Sequence, residues 1–500
     1  MKLSTRILMT LLFAALFLSH AAAARAQIPA RADKPTRSFL SRCSEPEFKT
    51  KAWCGRYEVF ENRASKQGRK IALNVVILPA LSEKPSPDAV FFLAGGPGQG
   101  AASLAAYIGE ALPARVRQER DIVFIDQRGT GESNPLNCNL YNDDDLQGYF
   151  EEMFPAKAVR DCRARLERVA DLTQYTTNIA IDDLDEVRRS LGYEKINLYG
   201  GSYGTTVALA YLQRYGAHVR SAVLAGVATL DFKLPLPFAK GAQLAMDGLM
   251  RDCEQDAACR QAFPKLREEF RAVLERLLKG AVSVEVVNPM NGQSQSISLS
   301  RGPFTERLRM MLYGHNTARL VPALIHSAYQ GDFKPFILAS LPQARATYQS
   351  LSLGMYFTVT CTEGVQLITE EDIKRETEGT FIGDYRVRVH QRACREWPRG
   401  ELPNQFTSTF KSDVPVLMLS GELDPASPRR FASELVRQLP NGLQLNVPFG
   451  GHGYFSECIS DITADFISRG TVRGLSASCL QSAKRPPFAT TLTEALSLRR

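Results

Sequence analysis

The stretch from Ile196 to Leu209 limits the possible folds more than any other. An apolar, β-prone run, Ile196-Asn197-Leu198-Tyr199, turns through Gly200-Gly201-Ser202-Tyr203-Gly204 into the helix-forming Thr205-Thr206-Val207-Ala208-Leu209. A strand that becomes a helix within five residues needs small residues where the two elements nearly touch, and Gly200 and Gly204 supply them. The serine between them sits on a strained corner with its Oγ clear of the strand end. The backbone N–H of Tyr203 opens a helix N-terminus onto the same space. That is the arrangement of a nucleophile elbow. A glycine-rich turn without chemistry spells the same five letters, so the rest of the chain must decide.

The chain has 500 residues, 44% hydrophobic and 23% charged, which suits a soluble globular protein with one large domain plus an insertion, or two domains. Residues 1–26 read as a secretory signal: Lys2 and Arg6, an apolar core from Ile7 to Leu18, and Ala24-Arg25-Ala26 as the cleavage site before Gln27. The apolar core is too short for a membrane span, and no membrane association is expected once it is removed. Its loss takes three positive charges, reducing the formal +8 to +5. That excess is spread without a basic run, which argues against nucleic acid as a partner. In an exported chain, secreted or periplasmic, the ten cysteines read as disulfides. Sequential closure of local loops pairs Cys43 with Cys54, Cys138 with Cys162, Cys253 with Cys259, Cys361 with Cys394 and Cys458 with Cys479. No spacing argues for zinc, and neither metal nor cofactor is expected.

Taken in order, Tyr57–Glu61 and Ile71–Leu78 read as antiparallel strands at a sheet edge. Ala89–Ala94 and Asp121–Ile125 are continuous apolar runs, suited to strands buried on both faces. The first empties into Gly95-Gly96-Pro97-Gly98 and a helix-like segment from Ala101 to Leu112. The second ends in Asp126-Gln127-Arg128-Gly129-Thr130-Gly131, where Arg128 reads as support for loop backbone or a carboxylate. A helix over Asp182–Leu191 leads to the elbow strand, and Ser221–Gly226 is a further buried strand. Strand alternating with helix predicts an α/β fold with a mostly parallel sheet and helices on both faces. From about residue 230 to 402 the alternation stops, and amphipathic helices with one hairpin around Asn291-Gly292 suggest a largely helical inserted cap. The sheet pattern returns with Val414–Leu419, a helix from Ser427-Pro428 to Leu439, the strand Leu443–Val447 and a closing helix; residues from Lys484 look frayed. The expected division is therefore 1–26 signal, 27–229 and 403–500 sheet domain, and 230–402 cap.

Ser202, Asp424 and His452 each follow a predicted strand, and parallel strands bring those ends to one sheet edge. A neutral imidazole can take the serine proton, and a carboxylate on the other ring nitrogen holds the tautomer and stabilises the imidazolium. Only His452 of the six histidines follows Asp424. Pro97 has no N–H, so Gly96 or Gly95 must be the loop donor; Gly96 is the candidate that, with Tyr203, forms the expected oxyanion hole.

These stretches resemble the prolyl and tripeptidyl aminopeptidase family of secreted α/β-hydrolases. The matching motifs are Gly95-Gly96-Pro97-Gly98, Asp126 to Gly131 and Gly200 to Thr205, with Gly421-Glu422-Leu423-Asp424-Pro425 through Gly451-His452-Gly453 similar to the tripeptidyl aminopeptidase-like branch. The resemblance covers roughly residues 55–230 and 405–480. It implies an α/β-hydrolase fold and a serine exopeptidase releasing one to three residues from peptides with a free N-terminus. Two features depart from the prolyl enzymes: Ala94 stands where they often carry His, and their Glu-Asn-rich cap stretch is missing. An aminopeptidase needs a carboxylate for the substrate ammonium, and Glu363, beside Cys361, is the candidate. The same serine machinery would serve a carboxylesterase acting on small esters, which is the alternative.

Overall fold

The apolar runs become the centre of one nine-stranded sheet. In the computed structural model, which describes residues 37–43, 51–111, 114–404, 406–407, 411–453 and 456–492, the strands in chain order are β1 (Leu40–Arg42), β2 (Trp53–Phe60), β3 (Lys70–Leu78), β4 (Ala89–Leu93), β5 (Ile122–Ile125), β6 (Ile196–Gly201), β7 (Val219–Ala225), β8 (Val282–Val287), β9 (Ser294–Leu299), β10 (Val416–Gly421) and β11 (Gly442–Val447). The leader read over 1–26 lies outside the described residues. The large sheet runs β1-β2-β3-β5-β4-β6-β7-β10-β11, and β8 with β9 forms a separate hairpin. From β5 to β11 every pairing is parallel, while β1, β2 and β3 add an antiparallel edge through β3 and β5.

Every residue of β4, β5 and β10 is buried. Strands covered on both faces carry unbroken apolar sequence, because both sets of alternating side chains meet helices. Phe91, Leu198 and Met418 belong to the larger core, with Leu184 and Val187 of helix Thr177–Ser190 and Val207 of helix Tyr203–Tyr215. Their neighbours Phe92, Tyr199 and Leu419 point the other way, into a second core with Ile462 and Phe466 of helix Glu457–Arg469. Arg128 is fully buried, forks Asp183 at 2.6 and 2.9 Å and donates to the carbonyls of Glu61 and Gln174, a supporting role.

Between β7 and β10 the chain forms helices with the β8–β9 hairpin, including Phe238–Gln255, Leu266–Lys279, Arg301–Met311, Lys334–Gln349, Leu353–Val359 and Tyr385–Arg395. The ten cysteines lie in five bonded pairs, 43–54, 138–162, 253–259, 361–394 and 458–479, the sequential pattern read from their spacing.

The structure departs from the sequence reading at several places: the strand read over Tyr57–Glu61 is Trp53–Phe60, and the helix read from Ser427-Pro428 to Leu439 is Arg430–Leu435. β1 adds an edge strand that its mixed residues do not advertise. The segment after β4 is a short 3₁₀ turn, Ala102–Leu104, followed by helix Ala105–Ala111. Residues after Lys484 do not fray as far as described: Phe488 and Ala489 are buried, Ala489 N–H donates to the Arg319 carbonyl at 3.1 Å, and Arg485 pairs with Asp252 at 2.7 Å. Two apolar residues in a polar tail carry no periodicity, yet they are enough to fix it once a partner surface exists. Among the described residues no helix is long and apolar enough to cross a membrane.

Candidate active site

Ser202 sits between β6 and helix Tyr203–Tyr215 at φ +54° and ψ −125°, a left-handed conformation that costs a serine energy. The corner leaves no room to relax. A Cβ on Gly200 would lie 2.4 Å from the Gly204 carbonyl oxygen, and one on Gly204 only 2.1 Å from that of Leu93. Ser202 N–H is tied to the Ala225 carbonyl of β7 at 2.8 Å, so two strands hold the corner in place.

Three strand ends then converge. Ser202 Oγ lies 2.9 Å from His452 Nε2, and His452 Nδ1 lies 3.0 and 2.9 Å from the two carboxylate oxygens of Asp424. Because the carboxylate can only accept, Nδ1 carries the proton and Nε2 is free to accept from Ser202. The Asp424 side chain is fully excluded from water. Its Oδ1 accepts the N–H groups of Ala426 and Ser427, both at 2.8 Å, and its Oδ2 accepts Ser427 Oγ at 2.9 Å. These donors fix the orientation of the carboxylate toward His452.

Two partners of this chain of hydrogen bonds are not legible in sequence. Ser427, read as the start of a helix, is not its cap; the helix is Arg430–Leu435 and the hydroxyl instead lies 2.9 Å from Asp424 Oδ2 and 3.2 Å from His452 Nδ1. Tyr313 accepts the N–H groups of His452 and Gly453 through its carbonyl, at 2.8 and 3.0 Å, and its ring meets the imidazole edge-on at 4.9 Å. Helix-segment residues beyond β7 therefore hold the histidine loop. Ser427→Ala is expected to lower kcat roughly tenfold with KM little changed, about 1.5 kcal/mol for one hydrogen bond to a charged group. Steady-state kinetics on any substrate that is turned over would check it, and an unchanged kcat would count against the role.

Ser202 and His452 open into a cavity of about 340 Å³, and Gly96 and Tyr203 line it beside them. Glu363 lines it too, 8% exposed, on the turn tied by Cys361–Cys394. Burial pushes its carboxyl up to about 7, against the opposing help of Thr177, whose N–H and Oγ1 donate at 2.7 and 2.6 Å. Thr177 Oγ1 is also 2.6 Å from the Tyr203 hydroxyl, so Glu363 and the elbow share one network. Burial first, and the Glu363 charge second, raise the Tyr203 phenol well above its ordinary range. The other buried carboxylate on the wall, Glu306, is paired with Arg309 and Arg386. Among the described residues no group of three or more His, Cys, Asp or Glu could hold a metal ion.

Residues 88–307 match the family model of the alpha/beta hydrolase fold. Together with the sheet order this shows an α/β-hydrolase fold with a mostly parallel central sheet. Residues 379–479 match the family model described as TAP-like protein, so the two matched segments are consistent with a TAP-like α/β-hydrolase. It is similar to the serine protease Hip1 of Mycobacterium tuberculosis, 25% identical over 489 residues spanning 89% of this chain and 91% of that one. It is 24% identical to a tripeptidyl aminopeptidase of Streptomyces lividans over 87% of this chain and 84% of that protein. A proline iminopeptidase of Neisseria gonorrhoeae is 33% identical over a shorter span, 29% of this chain and 35% of the relative.

Proposed function

We propose that this protein is an exported serine aminopeptidase that releases one to three residues from the free N-terminus of peptides. The observation that carries the proposal is a hydrogen-bonded Ser202–His452 pair facing the same cavity as Glu363, a buried carboxylate with no cationic partner among the described residues. A buried carboxylate in that position is costly until a cation arrives, and a substrate ammonium is such a cation. The peptidase names among the relatives support the same reading.

Ser202, His452 and Asp424 are assigned as nucleophile, general base and orienting carboxylate. Ser202 Oγ attacks the scissile carbonyl carbon while its proton passes to His452 Nε2. The carbonyl oxygen takes the negative charge, and the N–H groups of Gly96 and Tyr203 are assigned to receive it. Collapse expels the amine, which takes the proton from His452, and leaves an acyl-enzyme. Water, deprotonated by the same imidazole, releases the N-terminal fragment and restores Ser202. Residues 230–402 act as the cap that closes the cavity over this centre, on the sheet domain of 27–229 and 403–500. Export through the 1–26 leader suits a chain with five disulfides.

The test is mass spectrometry of a mixed peptide library after incubation with the enzyme, in free and N-acetylated forms. The expected products lack one to three N-terminal residues, and the acetylated set is spared. Cleavage of acetylated peptides at the same rate would remove the aminopeptidase reading. Turnover of small esters with none of either peptide set would favour the carboxylesterase.

A further inference from the structure

The cavity has a second charged pole, opposite in sign to Glu363. Helix Arg301–Met311 buries Glu306, Arg307 and Arg309, each at most 2% exposed, and helix Tyr385–Arg395 adds Arg386 at 8%. Arg309 reaches Glu306 at 2.5 Å through Nη2 and gives Nη1 to the Tyr313 hydroxyl at 2.7 Å. Arg386 reaches the same Glu306 oxygen at 2.7 Å and the Tyr356 hydroxyl at 3.1 Å. Arg307 lies behind, donating to the Tyr149 carbonyl and the Tyr348 hydroxyl at 2.8 and 3.2 Å. Two guanidiniums thus share one carboxylate, and a third lies buried behind them. His390, also buried there, adds no further positive charge; burial, and then the charge of Arg386, hold its imidazole neutral.

Guanidiniums buried in excess of carboxylates are unfavourable unless another anion joins them. Polar capacity is also left over in this cluster. Nε of Arg386, a donor, is buried without a hydrogen-bond partner, and Arg386 lines the cavity together with Arg309. The pole lies close to the reacting groups, because Arg309 is bonded to the hydroxyl of Tyr313, whose ring packs against His452. A planar guanidinium pair held rigid by Glu306 is matched to a carboxylate, which it can receive in a two-pronged contact.

We infer that Arg309 and Arg386, braced by Glu306, form a subsite for a carboxylate of the substrate. The inference rests on the aminopeptidase reading and names its substrate class: short peptides with an ammonium at one end of the cavity and a carboxylate at the other. That carboxylate can be an acidic side chain or the C-terminus of a short peptide.

The test uses the wild-type enzyme and free-amine tetrapeptides in matched pairs. One set exchanges Glu for Gln at each position, and the other exchanges the C-terminal carboxylate for its amide. At least one placement is expected to raise kcat/KM tenfold or more over its neutral partner, and the set in which it occurs identifies the source. Arg386→Gln is expected to bring that ratio towards one. If this variant does not fold, the wild-type ratio still decides. A ratio below twofold for every pair overturns the subsite, even when all the peptides are cleaved. The same peptides are also tested for protecting Ser202 from a fluorophosphonate probe. Carboxylate-selective protection without cleavage of any peptide would keep the subsite and remove the aminopeptidase reading. Absence of both selective cleavage and selective protection overturns the subsite.

Discussion

Asp424→Asn is expected to lower kcat by about 10⁴-fold while leaving the fold and KM nearly intact. The reason lies in the donors around the carboxylate. Oδ1 accepts two backbone N–H groups, from Ala426 and Ser427, and the Asn carbonyl oxygen will keep that place. The Asn NH₂ is then left where Oδ2 now faces Ser427 Oγ and His452 Nδ1. It can only donate there, so Nδ1 must accept and the imidazole proton moves to Nε2. Ser202 Oγ, 2.9 Å from Nε2, would then receive a hydrogen bond instead of giving up its proton. The geometry survives and the base is lost. Steady-state kinetics and the rate of fluorophosphonate labelling should fall together, with an unchanged thermal unfolding profile. A loss of less than tenfold would show that Asp424 does not set the tautomer.

The parts of this site that sequence reveals are those fixed by local rules. The elbow is legible because only glycines tolerate the 2.1 and 2.4 Å approaches at Gly204 and Gly200, so the motif carries its own geometry. Buried parallel strands announce themselves as apolar runs, and Asp424 follows one of them, whereas His452 follows the edge strand β11, where Leu443 and Leu445 alternate with polar residues. Disulfides that close loops of 6 to 33 residues are also local. Ser427 shows where a local rule misleads. Ser-Pro ahead of a helix satisfies the signal for a helix start, but the nearby Asp424 carboxylate is the stronger attraction for the hydroxyl. The carboxylate subsite is beyond any such rule. Arg309 and Arg386 are neighbours only because two helices far apart in sequence converge on Glu306. A periodicity argument sees just two amphipathic helices with charged residues. Glu363 is intermediate: the disulfide beside it suggests a fixed position, but its burial against Thr177 follows from the packing of helix Thr177–Ser190 on the turn.

Glu363→Gln is expected to raise KM for free-amine peptides about 100-fold and to leave small N-blocked esters unaffected. The figure corresponds to about 3 kcal/mol, at the upper end for a charged hydrogen bond. The substitution is accommodated locally. The Gln carbonyl accepts Thr177 N–H, and Thr177 Oγ1 can accept the Gln NH₂ while donating to the Tyr203 hydroxyl. The pH dependence follows from a carboxyl pushed up to about 7 by burial, from an ordinary value of 4.5. As pH falls through 7 Glu363 takes up a proton and loses its hold on the ammonium. KM for free-amine peptides should therefore rise on the acid side in the wild type and stay flat in the variant. Stability moves in the opposite sense. Between pH 4.5 and 7 the unfolded chain gives up this proton before the folded one does, so the native state loses stability as pH rises and carries the whole penalty above 7. Glu363→Gln removes that penalty. The variant should be more stable than the wild type at pH 8, by at most about 3 kcal/mol, with the difference vanishing near pH 4.5. Thermal unfolding at the two pH values reads the stability, and paired KM measurements on blocked and free substrates read the function. A gain in stability with equal KM changes on both substrates would leave Glu363 a buried acid with no ammonium to bind. A weakened grip on free amines alone would tie the destabilised carboxylate to the substrate that relieves it.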